Sequence, residues 1–266
     1  MSIQCACRAV NLSRAAYYRA AKGIAARDEP VIEALNGIVG KHGRWGFWKC
    51  HRRLRLDGYQ WNHKRTWRIY CAMRLNLPRR ARKRLVRPPQ PLNAPARPNE
   101  IWALDFMSDS LYQGRRFRTL NILDEGVREA LAIEIDTSLP AERVVRTLQQ
   151  LITWRGRPKA IRLDNGPELT AQRFTTWCAV MGIELRHIQP GKPNQNAFIE
   201  RFNRSYRTEV LNGWLFASLD EVREITHQWI VSYNEERPHD ALGNLPPAVY
   251  RERLLAGLNS TLQLST

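Results

Sequence analysis

The sequence predicts an α/β fold, a mixed five-stranded sheet flanked by helices, preceded by a small all-α region. Three observations predict it. Charge changes abruptly near residue 100: residues 1 to 99 hold 22 Lys and Arg against 4 Asp and Glu, whereas residues 100 to 266 hold 20 against 21. Apolar residues before that point recur at helical spacing, and after it they fall into short β-rich runs separated by helical stretches. At 266 residues, with 43% hydrophobic and 9% aromatic content, the chain has the apolar material for one large domain and a smaller one.

Residues 1 to 27 contain VNLSRAAYYRA, read as a turn and then a helix with Ser13 as N-cap and Tyr17 facing inward. This is the second half of a helix-turn-helix whose first half is missing from the pattern. Residues 28 to 77 read as a helical region, with Ile32, Leu35, Ile38 and Val39 on one stripe and Trp67, Ile69, Tyr70 and Leu75 on another. Residues 78 to 99 hold six prolines within a dense basic run, which precludes regular structure and marks a charged linker. From 100 to 255 the elements follow one another as strands at 101–108, 117–123 and 129–136, a helix opened by Pro140, and a strand at 159–164. A helix at about 171–181, a strand at 183–188 and a helix capped by Asn196 complete the set. The order βββαβαβα, with residues 256 to 266 left as a tail, is an RNase H-like arrangement.

The excess positive charge, confined to the N-terminal half, favours a polyanion as partner, because each Lys or Arg that neutralises a phosphate releases condensed counterions. No run of about 18 apolar residues exists, and the first twenty residues lack the apolar core of a signal peptide, so the expectation is an intracellular protein with no membrane partner. Cys5, Cys7, Cys50, Cys71 and Cys178 are odd in number and scattered, with no CxxC pair, which supports neither a disulfide framework nor a zinc finger.

Three carboxylates carry the chemistry. Asp105 lies between Leu104 and Phe106 in a run expected to be a buried central strand, where an unpaired carboxylate is costly and a metal ion would resolve the cost. Asp164 ends a strand just before Asn165-Gly166-Pro167, at the carboxyl edge where open α/β sheets place ligands; alone, it also reads as an Asx-turn residue. Glu200 lies one turn into its helix, with Arg204 and Arg207 on the same face, so a metal-binding carboxylate would stand beside guanidiniums for phosphate. Hard oxygen ligands suit Mg²⁺ or Mn²⁺, and two such ions about 4 Å apart clamp the attacking and leaving oxygens of a phosphoryl transfer. His187 and His239 read as packed or surface histidines.

The segment from 97 to 250 resembles the integrase-like catalytic core of OrfB-type bacterial insertion-sequence transposases, members of the DDE recombinases together with retroviral integrases. The pieces that carry the resemblance are IWALDFMSD, RRFRTLNILD, ALAIEIDTSLPAERVV, KAIRLDNGPEL, QPGKPNQNAFIERFNRSYRTEVL and YNEERPHDALGNLPP. The resemblance implies that Asp105, Asp164 and Glu200 form a catalytic triad holding two Mg²⁺ or Mn²⁺ ions, with Arg207 as the basic residue seven positions after the glutamate. It also implies double-stranded DNA as partner, namely element ends and target. A homo-oligomer on that DNA, a possible upstream-frame OrfA-type product and a cytoplasmic, nucleoid-associated location are further implications. Upstream, RWGFWKCHRRLRLDGYQWNHKRTWRIYCAM is similar to the family's helical DNA-binding segment, making Arg44, Asn62, Lys64 and Arg65 candidate DNA contacts beside Asn165 and Lys192 in the core. Two departures stand out. Asp124-Glu125-Gly126-Val127-Arg128 lacks the family's usual aromatic and Ser/Thr, which predicts weakened folding or DNA positioning there, and Phe47-Trp48 replaces residues that are commonly Tyr and Arg. The competing readings are a catalytically inactive DNA-binding regulator or decayed transposase subunit, and a hydrolytic RNase H-like nuclease.

Overall fold

A computed structural model describes residues 2–18, 24–78, 95–164, 166–189 and 196–263. The chain forms two compact units, Met1–Arg79 and Arg80–Thr266.

The first unit begins with α1 (Ile3–Ala9), a turn in which Asn11 adopts a positive φ of 51°, and α2 (Arg14–Tyr17). The Ser2 side chain caps α1 by accepting from the Cys5 amide at 3.3 Å. A short helix, α1, thus precedes the turn and helix read from the sequence. It lacks a visible apolar stripe because only Cys7 on it is buried. Tyr17 is corrected too: 51% exposed, it does not face inward. Then α3 (Ile24–Lys41), α4 (Phe47–Leu56) and α5 (His63–Ala72) pack around Val31, Leu35, Ile38, Trp45, Phe47, Cys50, Leu54, Ile69 and Tyr70. Phe47, at one of the two sequence departures, is a core residue; Trp48 beside it is exposed.

In the second unit, β1 (Ile101–Ser110), β2 (Arg116–Asp124) and β3 (Ala130–Asp136) form the expected antiparallel meander. After α6 (Ala141–Arg155), β4 (Ala160–Leu163) pairs parallel with β1, and β5 (Glu184–His187) pairs parallel with β4, giving the order β3-β2-β1-β4-β5. Between β4 and β5 lie the short α7 (Pro167–Thr170) and α8 (Gln172–Val180). The mixed sheet with this connectivity is RNase H-like. Period-two alternation decides its faces. Trp102, Leu104, Leu120, Ile122, Ile161 and Leu163 bury against Val144 and Leu148 of α6 and Phe174 and Cys178 of α8. Ala103, Leu123 and Ala130, on the opposite face, bury against α9 (Ala197–Tyr206) through Ile199 and Phe202, and against α10 (Leu219–Glu235) through Tyr233.

The helix starting at Ala197 is not the end of the helical structure. A π-helical turn, Arg207–Leu211, follows it, then α10, capped by Ser218 accepting from the Glu221 amide at 3.2 Å, and α11 (Pro247–Gln263). α10 covers the sheet edge at β3, which the strand pattern alone leaves bare.

The unusual β2–β3 turn is built tightly rather than weakened. The Asp124 carboxylate accepts from the amides of Asn99 (2.7 Å), Gly126 (2.8 Å) and Val127 (3.4 Å), and Val127 is fully buried. A Cβ at residue 126 would lie 2.2 Å from the Arg97 carbonyl oxygen, so only glycine fits. The Arg128 guanidinium stacks 3.5 Å over the Phe198 ring, next to the start of α9. Gly126→Ala is expected to destabilise the fold by about 1–3 kcal/mol, read as a fall of several degrees in Tm by differential scanning fluorimetry; an unchanged Tm would show that the turn is looser than this.

Candidate active site

Asp105 stands in the middle of β1, between β2 and β4, on the sheet face covered by α9. Its Oδ1 accepts from the Phe106 amide at 2.9 Å, and its Oδ2 accepts from the Asn203 Nδ2 at 2.7 Å. Asn203 in turn accepts through Oδ1 from the Nδ2 of Asn121 at 2.6 Å, and Asn121 lies directly opposite Asp105 across the β1–β2 ladder. This buried relay joins α9 to the sheet. Burial, then the charge of Asp164, then that of Glu200 push the Asp105 carboxyl up to about 6, against the lowering effect of its hydrogen bonds.

Asp164 leaves β4 at its carboxyl end, half-buried, and its Oδ1 accepts from the Gly166 amide at 3.1 Å. The Asx-turn and the site reading therefore coexist at one residue. α7 follows, and its Glu168 carboxylate pairs with Arg118 of β2, whose guanidinium lies 4.5 Å over the Phe106 ring. Glu200 is exposed in the first turn of α9. Asp105 feels the charges of both Asp164 and Glu200. Among the described residues, however, no three His, Cys, Asp or Glu side chains are grouped so as to enclose a metal ion. In its chemistry the donor set fits a hard divalent cation: three carboxylates supply oxygen ligands, and the one in the central strand is raised first by burial and then by the charges of the other two.

The remaining predicted contacts divide by their partners. Arg204 is exposed on α9, whereas Arg207 is tied to β1, donating to Asp109 Oδ2 at 3.0 Å and to the Ser108 carbonyl at 2.8 Å. Asn165 and Lys192 lie outside the described residues. Arg44 and Lys64 are exposed in the first unit. The Asn62 side chain caps α5, accepting from the Lys64 amide at 2.8 Å. Arg65 is turned to an internal use, pairing at 3.0 Å with the buried carboxylate of Asp28, which also holds Arg68 at 2.6 Å. His187 is exposed, and His239 packs edge-on against Tyr233 at 5.0 Å.

Sequence reasoning passed over Asn121 and Asn203. The signals were there: an amide within the apolar strand TLNIL, and another three residues after Glu200, hence on nearly the same helical face.

Family models match both units of the chain. Residues 95–193 and 181–247 match two models described as integrase core domain, and residues 26–84 match an HTH-like domain. The chain is 38% identical over 250 residues to the insertion element IS476 uncharacterized 39.2 kDa protein of Xanthomonas euvesicatoria, covering 92% of this chain and 71% of that one. It is 37% identical over 246 residues to the insertion element IS407 uncharacterized 31.7 kDa protein of Burkholderia multivorans, covering 92% and 88%. A putative transposase for insertion sequence element IS986/IS6110 of Mycobacterium tuberculosis is 23% identical over 241 residues, covering 83% and 86%. The chain belongs to the OrfB-type insertion-sequence transposases, which carry an integrase core behind an HTH-like domain.

Because Asp105 binds its proton more tightly in the folded chain than in the unfolded one, its contribution to stability is full below about pH 4 and is lost as pH rises through about 6. Asp105→Asn is therefore expected to raise Tm by a few degrees at pH 7.5 in a chelator, with the gain shrinking towards pH 4.5; a lower Tm at pH 7.5 would contradict the crowding of charge.

Proposed function

We propose that the chain is the catalytic transposase of an insertion sequence, cutting DNA at the element ends and joining the freed 3′-hydroxyl to target DNA. One observation supports the reading: the fold brings Asp164, from a strand end, and Glu200, from a helix, close enough for their charges to act on Asp105 in the central strand. In this proposal the three carboxylates hold two Mg²⁺ or Mn²⁺ ions, which when bound supply positive charge to the attacking and leaving oxygens.

The chain's own residues do the rest. Asn203 fixes the Asp105 carboxylate from one side and the Phe106 amide from the other, so its direction is set before DNA arrives. Arg204, exposed one turn beyond Glu200, is placed for a phosphate of the bound strand. Cys178 is buried in the core, so the attacking group is water or a DNA hydroxyl rather than this thiol. The HTH-like first unit and the basic stretch before residue 100 grip double-stranded DNA, and assembly as a homo-oligomer, with an upstream-frame product where the element encodes one, completes the cytoplasmic, nucleoid-bound complex. Among the described residues no helix is long and apolar enough to cross a membrane.

The test is a strand-transfer assay with labelled element ends, Mg²⁺ or EDTA, and the upstream-frame product present or absent. Joined product is expected only with metal, and Asp164→Asn or Glu200→Gln is expected to reduce it by at least about 10³-fold while leaving end binding within a few-fold. Joining by either variant at the wild-type rate would sink the assignment, and binding without any cleavage would favour a DNA-binding regulator.

Salt provides a second check. If the basic half covers roughly 6 to 10 phosphates, affinity is expected to fall about 10³- to 10⁵-fold between 50 and 200 mM salt. A flat dependence in filter binding would remove that grip from the picture.

A further inference from the structure

α9 and its π-helical continuation run beside β1 in the same direction, joined by three rungs. Asn203 donates to Asp105 at 2.7 Å, Arg207 to Asp109 at 3.0 Å, and the Tyr112 amide to the Phe216 carbonyl at 2.8 Å. The first rung is at the acids. The last is where the β1–β2 hairpin meets the loop before α10, and there three large apolar side chains face solvent: Tyr112, 76% exposed, Trp214, 54%, and Leu215, 78%. Beneath them Leu111, Leu211 and Phe216 are buried, so the segments that present them are anchored in the core. Arg115 and Arg116 on the same hairpin are exposed, and the carboxylate at the second rung, Asp109, is paired with Arg207.

We infer that Tyr112, Trp214 and Leu215 form a stacking platform for unpaired DNA bases leading away from the acid site. The chemistry is that of sequence-tolerant single-strand binding, in which aromatic faces take bases and neighbouring guanidiniums take the backbone. Charge selects this occupant, since the hairpin presents two arginines and the nearest acid along the ladder is already neutralised. The distance suits it as well. Five strand residues from Asp105 to Ser110 span about 17 Å, and eleven helical residues from Glu200 to Leu211 span about the same. Even at the duplex spacing of about 3.4 Å per nucleotide the platform lies within roughly five nucleotides of the reacting phosphate, and an extended unpaired strand covers that distance in fewer. Element ends or target sites opened during cleavage expose bases there, and intact duplex does not. The inference rests on the proposed DNA-processing role, but it concerns binding alone.

The experiment uses the full chain in EDTA, so that no chemistry intervenes, and compares a forked duplex bearing a single-stranded arm with a fully paired duplex of the same length. Trp214→Ala and, separately, Tyr112→Ala are expected to weaken binding to the fork by about 5- to 100-fold and to leave duplex binding within about twofold. Trp214→Phe should keep most of the fork preference. With 5-iododeoxyuridine in the arm, ultraviolet cross-links should map to Trp214 or Tyr112. Equal fork binding by wild type and both alanine variants, equal loss on fork and duplex, or a change only in sedimentation, which would mark the patch as a protein interface, would each overturn the inference. A wild type that fails to join DNA but shows the fork preference would sink the catalytic reading and leave the platform standing.

Discussion

A carboxylate in the central strand of a sheet is expensive to bury, and much of the second unit is organised around that expense at Asp105. β1 is flanked by β2 and β4 and covered by α9, so the acid has little water of its own. It is stabilised instead by a strand amide and by an asparagine from the covering helix, itself fixed by Asn121. The relay that solves the desolvation problem also sets the position of α9. Since Glu200 is one turn before Asn203 on that helix, the same bonds place the third acid. Fold and site are thus not separable at this point, because loosening the helix unbinds Asp105 and moves Glu200 together.

How far the sequence reveals this depends on whether the signal is local. β1 to β5 are legible because apolar alternation and turn residues lie in the strands themselves, and Asp105 and Asp164 are legible because one interrupts and the other terminates such a run. Asn196 was readable as the start of α9, although its side chain forms no cap bond. Pairings across long separations were not legible. Arg65 has the look of a free basic residue until Asp28, 37 positions earlier, is seen beneath it. Asn121 and Asn203, 82 residues apart, look like solvent amides until the fold joins them. α1, with one buried side chain, offers no apolar stripe to read, and α10, which runs between two of the quoted motifs, is held by packing on the sheet.

The two ends of the site differ in how firmly they are held. Asp105 is fixed on both carboxylate oxygens by hydrogen bonds from β1 and α9. Asp164 is held from its own turn, by the Gly166 amide, and at one remove by the Glu168–Arg118 pair reaching back to β2. Glu200 is exposed at the start of its helix. One acid is held on both oxygens, one from its own turn, and one faces solvent.

The π-helical turn after α9 has a consequence of phase. The Asn212 amide bonds to the Arg207 carbonyl, five residues back at 2.7 Å, so the turn accommodates one residue more than an α-helical turn would. Each residue of an α-helix advances the chain by about 100° around the axis. Were that turn wound as α-helix, the letters LNGWLF would leave it pointing elsewhere, and the assignment of Phe216 to the interior and Trp214 and Leu215 to the surface would be shuffled. A single residue of surplus winding thereby decides which aromatic is mortar and which is hand.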